Sequence, residues 1–96
     1  MHYRFANDYG ARWPFWAAGG LCAGGDPALP PQLERDVREW VNQFEQLFDW
    51  RQGWPDQATA DGHRAEGERL YDEVRRALPD VTITFHYWET SYRAAP

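Results

Sequence analysis

Between residues 33 and 48 the chain carries a pattern that few structures can satisfy. Leu33, Val37, Trp40, Val41, Phe44, Leu47 and Phe48 follow one another at spacings of 4, 3, 1, 3, 3 and 1. Only a 3.6-residue helix gathers all seven on one stripe. Pro31 suits the first turn of such a helix, where its missing N–H costs nothing. Glu34, Arg35, Arg38, Glu39, Asn42, Gln43, Glu45 and Gln46 fill the other side as a solvated face. A helix this apolar on one side must bury that side against something.

A second helix follows after a break at Asp49-Trp50-Arg51-Gln52-Gly53-Trp54-Pro55. Asp56 suits its N-cap, because a carboxylate there accepts from the free amides of the first turn. Its stripe is Ala60, His63, Gly67, Leu70, Tyr71, Val74, Ala77 and Leu78, and Pro79 stops it. Gly67 sits in mid-stripe at a cost of about 1 kcal/mol in helix propensity. A bulky neighbour such as Trp40, needing a gap, is a reason to keep it there.

Strand patterns flank the pair. Residues 2–7 alternate, with Tyr3 and Phe5 on one face and His2 and Arg4 on the other. Asn7-Asp8-Tyr9-Gly10 has turn chemistry. Residues 12–17 can return as a second strand, and Pro14 makes this an edge strand or an irregular extended segment. Val81 to Trp88 alternates again: Val81, Ile83, Phe85 and Tyr87 face one way, Thr82, Thr84, His86 and Trp88 the other. Residues 18–31 hold four glycines and three prolines and are expected to be a flexible connector. Residues 89–96 show no period and are expected to fray.

The order β-(β)-α-α-β predicts a single α+β domain over residues 1–96. It is a two-layer sandwich, with an antiparallel helix hairpin on one face of a two- or three-stranded sheet. The first and last strands are expected to be neighbours. The core is aromatic. Six Trp, five Tyr and five Phe stand in 96 residues. Trp40, Phe44, Phe48, Tyr71, Tyr3, Phe5, Phe85 and Tyr87 supply it by periodicity. Trp13, Trp16, Trp50, Trp54, Trp88 and Tyr92 are left over. Trp50 and Trp54 are expected to plug the ends of the helix hairpin.

The charge balance excludes some partners. Ten arginines against fifteen carboxylates give a net charge of −5 with no lysine. A nucleic-acid backbone needs a concentrated basic face, so none is expected as partner. No apolar run approaches the roughly 20 residues that span a bilayer, so no membrane association is expected. The N-terminus lacks an apolar leader, and the one cysteine, Cys22, cannot form an internal disulfide. The expected setting is cytoplasmic.

Candidate chemistry is sparse. Gly19-Gly20-Leu21-Cys22-Ala23-Gly24-Gly25 lacks the Lys-Ser/Thr of a phosphate loop and reads as a connector. Cys22 has no local cation or histidine to lower its pKa. His2 and His86 lie on the polar face of their strands and would approach each other if those strands pair. No metal-ligand spacing supports a site, and His63 reads as a core histidine. The helix carboxylates interleave with arginines as exposed faces do. No cofactor, metal or catalytic residue is expected.

Phe5-Ala6-Asn7-Asp8-Tyr9-Gly10, Trp13-Pro14-Phe15-Trp16, Trp40 with Phe44 and Phe48-Asp49, Gly53-Trp54 and Glu66-Gly67-Glu68-Arg69-Leu70 resemble a type of small protein of actinobacterial genomes and their phages, with no assigned activity. The resemblance is consistent with the absence of lysine and with a cytosolic setting, and transfers no site residue.

The expectation is a non-catalytic interaction module, a small acidic inhibitor or immunity-type protein that binds another protein. Surplus aromatics carry it, because they bury much area with few rotors. The expected surface is the uncovered sheet face with Trp88, His86, Thr84 and Arg4, plus an edge formed by Trp13 and Trp16. The same face or edge allows a homodimer. Two alternatives remain open. One is a small-ligand binder with Trp13, Trp16 and Trp54 lining a pocket. The other is a small hydrolase or metal enzyme using His2, His86 or Cys22.

Overall fold

The structure is a computed structural model and describes residues 1–94. Its elements are β1 (His2–Phe5), β2 (Phe15–Ala17), β3 (Gly20–Leu21), α1 (Pro31–Leu47), α2 (Gln57–Ala77) and β4 (Thr82–Phe85). The fold is the expected α+β sandwich. One sheet with order β3-β2-β1-β4 carries both helices on one face.

The sheet is mixed, and it has one strand more than the sequence predicts. β1 pairs parallel with β4, setting His2 beside Thr82 and Phe5 beside Phe85. It pairs antiparallel with β2, setting Arg4 beside Trp16. Gly20–Leu21, inside the predicted connector, turns back onto β2 as a short edge strand. Gly20, at φ 106°, takes a backbone conformation that favours glycine. β2 is therefore an inner strand. Pro14 is tolerated because it precedes the ladder, and its carbonyl accepts from the Ala6 amide at 2.9 Å.

The helices form as their stripes require. Pro31 opens α1, and the Asp56 carboxylate caps α2 through the Thr59 amide at 2.7 Å. Between them Trp40 and His63 exchange two bonds. The Trp40 indole N–H donates to the His63 carbonyl at 2.8 Å, and His63 Nε2 donates to the Trp40 carbonyl at 3.2 Å. The two rings stack at 4.5 Å, 7° from parallel. Gly67 makes the space: a Cβ there would stand 2.7 Å from Trp40 Cζ2 and 3.0 Å from Phe85 Cζ.

The core has two parts. The larger joins Tyr3, Phe5, Phe15, Ile83, Val37, Trp40, Leu70 and Val74, with Trp13 added. The smaller, at the end where the helices connect, joins Phe44, Trp54 and Ala60, with Phe48 and Trp88 against it. Trp54 plugs the hairpin end as expected, whereas Trp50 stays 70% exposed. Leu47, on the predicted stripe, is 42% exposed because α1 ends there. The segment after β4 does not run free. The Glu89 side chain is buried, the Trp54 amide donates to the Ser91 carbonyl at 2.9 Å, and the Arg93 amide donates to the Trp54 carbonyl at 2.8 Å. Residues 95–96 of the expected fraying tail lie outside the described residues.

Candidate interaction surface

The helices cover the face carrying Tyr3, Phe5 and Ile83, so among the described residues the other face of the sheet has no second layer. Alternation along β1 points His2 and Arg4 outward there, and alternation along β4 does the same for Thr82 and Thr84. The β1·β2 register sets Trp16 next to Arg4, whose guanidinium lies 5.6 Å from the indole centroid. The Trp16 N–H donates to the Ala6 carbonyl at 2.9 Å, which fixes the ring and leaves its face half-exposed. His2 Nε2 and Thr84 Oγ1 are 2.7 Å apart across the strands. Two shallow hollows flank the Arg4–Trp16 stack. Met1, His2 and Gly20 border one; Tyr9, His86 and Trp88 border the other.

The structure brings together Arg4, Trp16, Thr84 and the exposed His86. Trp88 stands at their margin. β4 ends at Phe85, the alternation breaks, and the Trp88 indole turns inward. Its N–H donates to the Asn7 carbonyl at 2.8 Å, and its ring meets Phe44 and Phe48 edge-on at 5.7 and 5.6 Å. It is half-buried, not a free surface ring. Trp13 belongs elsewhere. It is 3% exposed, packs on Phe15 at 5.1 Å and donates to the Asp26 carbonyl at 2.7 Å. The expected Trp13/Trp16 edge is thus Trp16 alone, because alternation along the extended chain puts Trp13 on the core side with Phe15 and Trp16 on the other.

The alternative sites come apart for stated reasons. His2 pairs with Thr82, and His86 lies four residues further along, about 13 Å at 3.3 Å per residue. An antiparallel pairing would have let them meet; the parallel one separates them. No group of three or more His, Cys, Asp or Glu suited to a metal occurs among the described residues. Burial pushes the Cys22 thiol above its usual pKa, and Asp26 adds to the rise, the opposite of what a nucleophile needs. Trp13 and Trp54 are buried in separate parts of the core, whereas Trp16 stacks with Arg4 on the open side of the sheet.

Two buried polar groups behind this surface were not foreseen. Asn7 and Glu89 are 2% and 1% exposed. The Asn7 amide donates to Glu89 Oε2 at 3.0 Å, and the Trp88 backbone amide donates to Oε1 at 3.0 Å. They join the end of β1 to the chain beyond β4. The sequence signal was a polar pair at the ends of two strands predicted to be neighbours, with Asn7 two residues from Phe5 and from Tyr9 and Glu89 next to Trp88.

A model of the family described as Serratia CdiI immunity protein-like matches residues 1–90, which takes in every strand and both helices. No curated protein and no solved structure matches the chain significantly. Coverage of the whole fold, not of one motif, carries the assignment: this chain belongs to the Serratia CdiI immunity protein-like family.

Proposed function

We propose that the chain is an immunity protein that neutralises a protein toxin by binding it through the helix-free face of the sheet. The contact is centred on Arg4, Trp16, Thr84 and His86, with Trp88 at its border. One observation carries this reading: the Arg4–Trp16 stack sits preformed between two hollows on a face that no other part of the described chain covers. Trp and Arg dominate the energetics of protein interfaces, and a pair already ordered before binding loses little entropy on docking. The membership of an immunity-protein family supports the same reading. The protein acts by occupancy, without a cofactor, and in the cytoplasm.

The test is co-production with the protein encoded by the adjoining gene. The wild-type chain is expected to bind that protein and relieve its growth inhibition. Arg4→Glu with Trp16→Ala is expected to weaken binding at least tenfold, with the circular dichroism spectrum unchanged. Binding of the double variant within twofold of wild type places the contact elsewhere.

A further inference from the structure

The connection between the helices holds an exposed tryptophan on a rigid mount. Asp49 and Gly53 exchange backbone bonds of 2.9 and 2.7 Å and close a tight turn. The Asp49 carboxylate accepts from the Arg51 and Gln52 amides at 2.8 and 2.9 Å. Gly53, at φ 78°, lies so close to the Ser91 carbonyl that a Cβ would collide with it. The turn thus rests on the segment that follows β4. At its apex Trp50 is 70% exposed, with the Arg51 guanidinium 4.6 Å from its ring centroid.

A loop that only had to reverse the chain would not need an indole in water. Keeping it there forgoes the transfer free energy of a large apolar side chain. Tyr9, Leu47 and Tyr92 are also exposed at this end of the molecule. Tyr9 meets Phe48 at 6.4 Å and borders the hollow shared with Arg4, Trp16 and His86. The open sheet face therefore continues past Tyr9 to the turn. Arg51 and Arg93 stand at the turn near the Asp49 carboxylate, whose charge they favour, but close no ion pair among the described residues, on a chain of net charge −5.

We propose that the 49–53 turn is an anchor: Trp50 inserts into an apolar pocket, rimmed by carboxylates, on the same protein that the sheet face binds. This rests on the immunity reading. The stacked Arg51 presents its N–H edge to a rim carboxylate while the indole fills the pocket. The turn is already closed, so insertion orders little that was free.

The experiment is calorimetric titration of the adjoining gene's product into wild type, Trp50→Ala, Trp50→Phe and Arg51→Glu. Trp50→Ala is expected to bind at least tenfold more weakly with its thermal midpoint unchanged, since the ring supports little of the fold. Trp50→Phe is expected to lose less, and Arg51→Glu to lose affinity at low salt more than at high salt. Trp50→Ala binding within twofold of wild type, while Arg4→Glu with Trp16→Ala is weakened, overturns the anchor alone. No binding by wild type overturns both readings. Wild-type self-association in sedimentation that Trp50→Ala abolishes makes a second copy the occupant and overturns the proposal. A Trp50-dependent fluorescence blue shift with anionic phosphatidylglycerol vesicles overturns it in favour of a lipid surface.

Discussion

The imidazole of His63 lies between two indoles, 4.5 Å from Trp40 and 4.4 Å from Trp54, and is fully buried. Its Nε2 donates to a carbonyl, so in the neutral ring Nδ1 accepts from the Tyr87 hydroxyl at 2.9 Å. Burial lowers its pKa from 6.5 to about 4, and the Trp40 carbonyl and Glu66 only partly oppose this. Between those two values the unfolded chain takes up a proton that the folded chain refuses. Stability therefore falls as pH drops from 6.5 towards 4, by about 3 kcal/mol in all at about 1.36 kcal/mol per unit. Glu89 works in the other direction. Burial raises its pKa, and the bonds from Asn7 and Trp88 only partly offset that. The folded chain takes up this proton first, so acid favours folding at this site. Glu89→Gln removes that compensation. Urea midpoints measured at pH 7 and pH 4.5 should differ more in Glu89→Gln than in wild type; equal differences would show that Glu89 is not linked to folding.

A residue-scale prediction also follows for Gly67. Alanine there would gain about 1 kcal/mol of helix propensity. Its methyl group would meet Trp40 and Phe85 inside contact distance, and overpacking of this kind costs about 1–3 kcal/mol. Trp40 is pinned by its bond to His63 and Phe85 by the sheet, so neither can yield cheaply. Gly67→Ala should lower the thermal midpoint, whereas Gly62→Ala, with nothing within 4 Å, should raise it slightly.

At the scale of elements, the weakest pieces are held by their neighbours. Four arginine–carboxylate pairs along α2 are at i,i+3 or i,i+4 and lie more than a third exposed, and such pairs contribute little. The α1–α2 connection depends instead on backbone bonds to residues 91–93. Gly10 and Gly53 are a controlled comparison, both at positive φ, +73° and +78°. A Cβ at Gly10 meets nothing within 4 Å, while one at Gly53 collides with backbone. Gly10→Ala should cost only the left-handed strain, about 1–2 kcal/mol. Gly53→Ala should cost clearly more and should free residues 89–93, read as faster proteolysis of the C-terminal segment. Similar midpoints for the two variants would mean that the turn does not rest on that segment.

Over the whole molecule, the sheet joins the two ends of the sequence. β1 and β4 pair although about 80 residues separate them, and the helix hairpin spans the gap. Neither strand can be lost without uncovering Trp40, Leu70 and Val74. Native-state hydrogen exchange should find the β1 amides and the β4 amides that bond to β1 opening only with global unfolding, and Gly20–Leu21 opening locally at much lower free energy. Equal protection of β3 and β1 would overturn that division. The uncovered sheet face follows from the same layout, since two helices joined by a short turn can cover only one side of the sheet.

The sequence by itself determined the helices, their order, the neighbouring terminal strands and the need of Gly67 for a large ring. Each of these is local or periodic: a 3.6-residue stripe, a period-two alternation, a cap, a turn. It also placed Arg4, Thr84 and His86 on one face, because alternation within a strand fixes side. Only the tertiary structure decided the parallel register that parts His2 from His86, the return of Gly20–Leu21 as a fourth strand, and the inward turn of Trp88. It likewise sorted the surplus tryptophans, burying Trp13 and Trp54 and leaving Trp50 in water. An isolated aromatic outside a periodic run carries no record of its partner. Whether it is core or surface is set by what the rest of the chain brings against it, here the Asp26 carbonyl over Trp13 and the segment beyond β4 against Trp54.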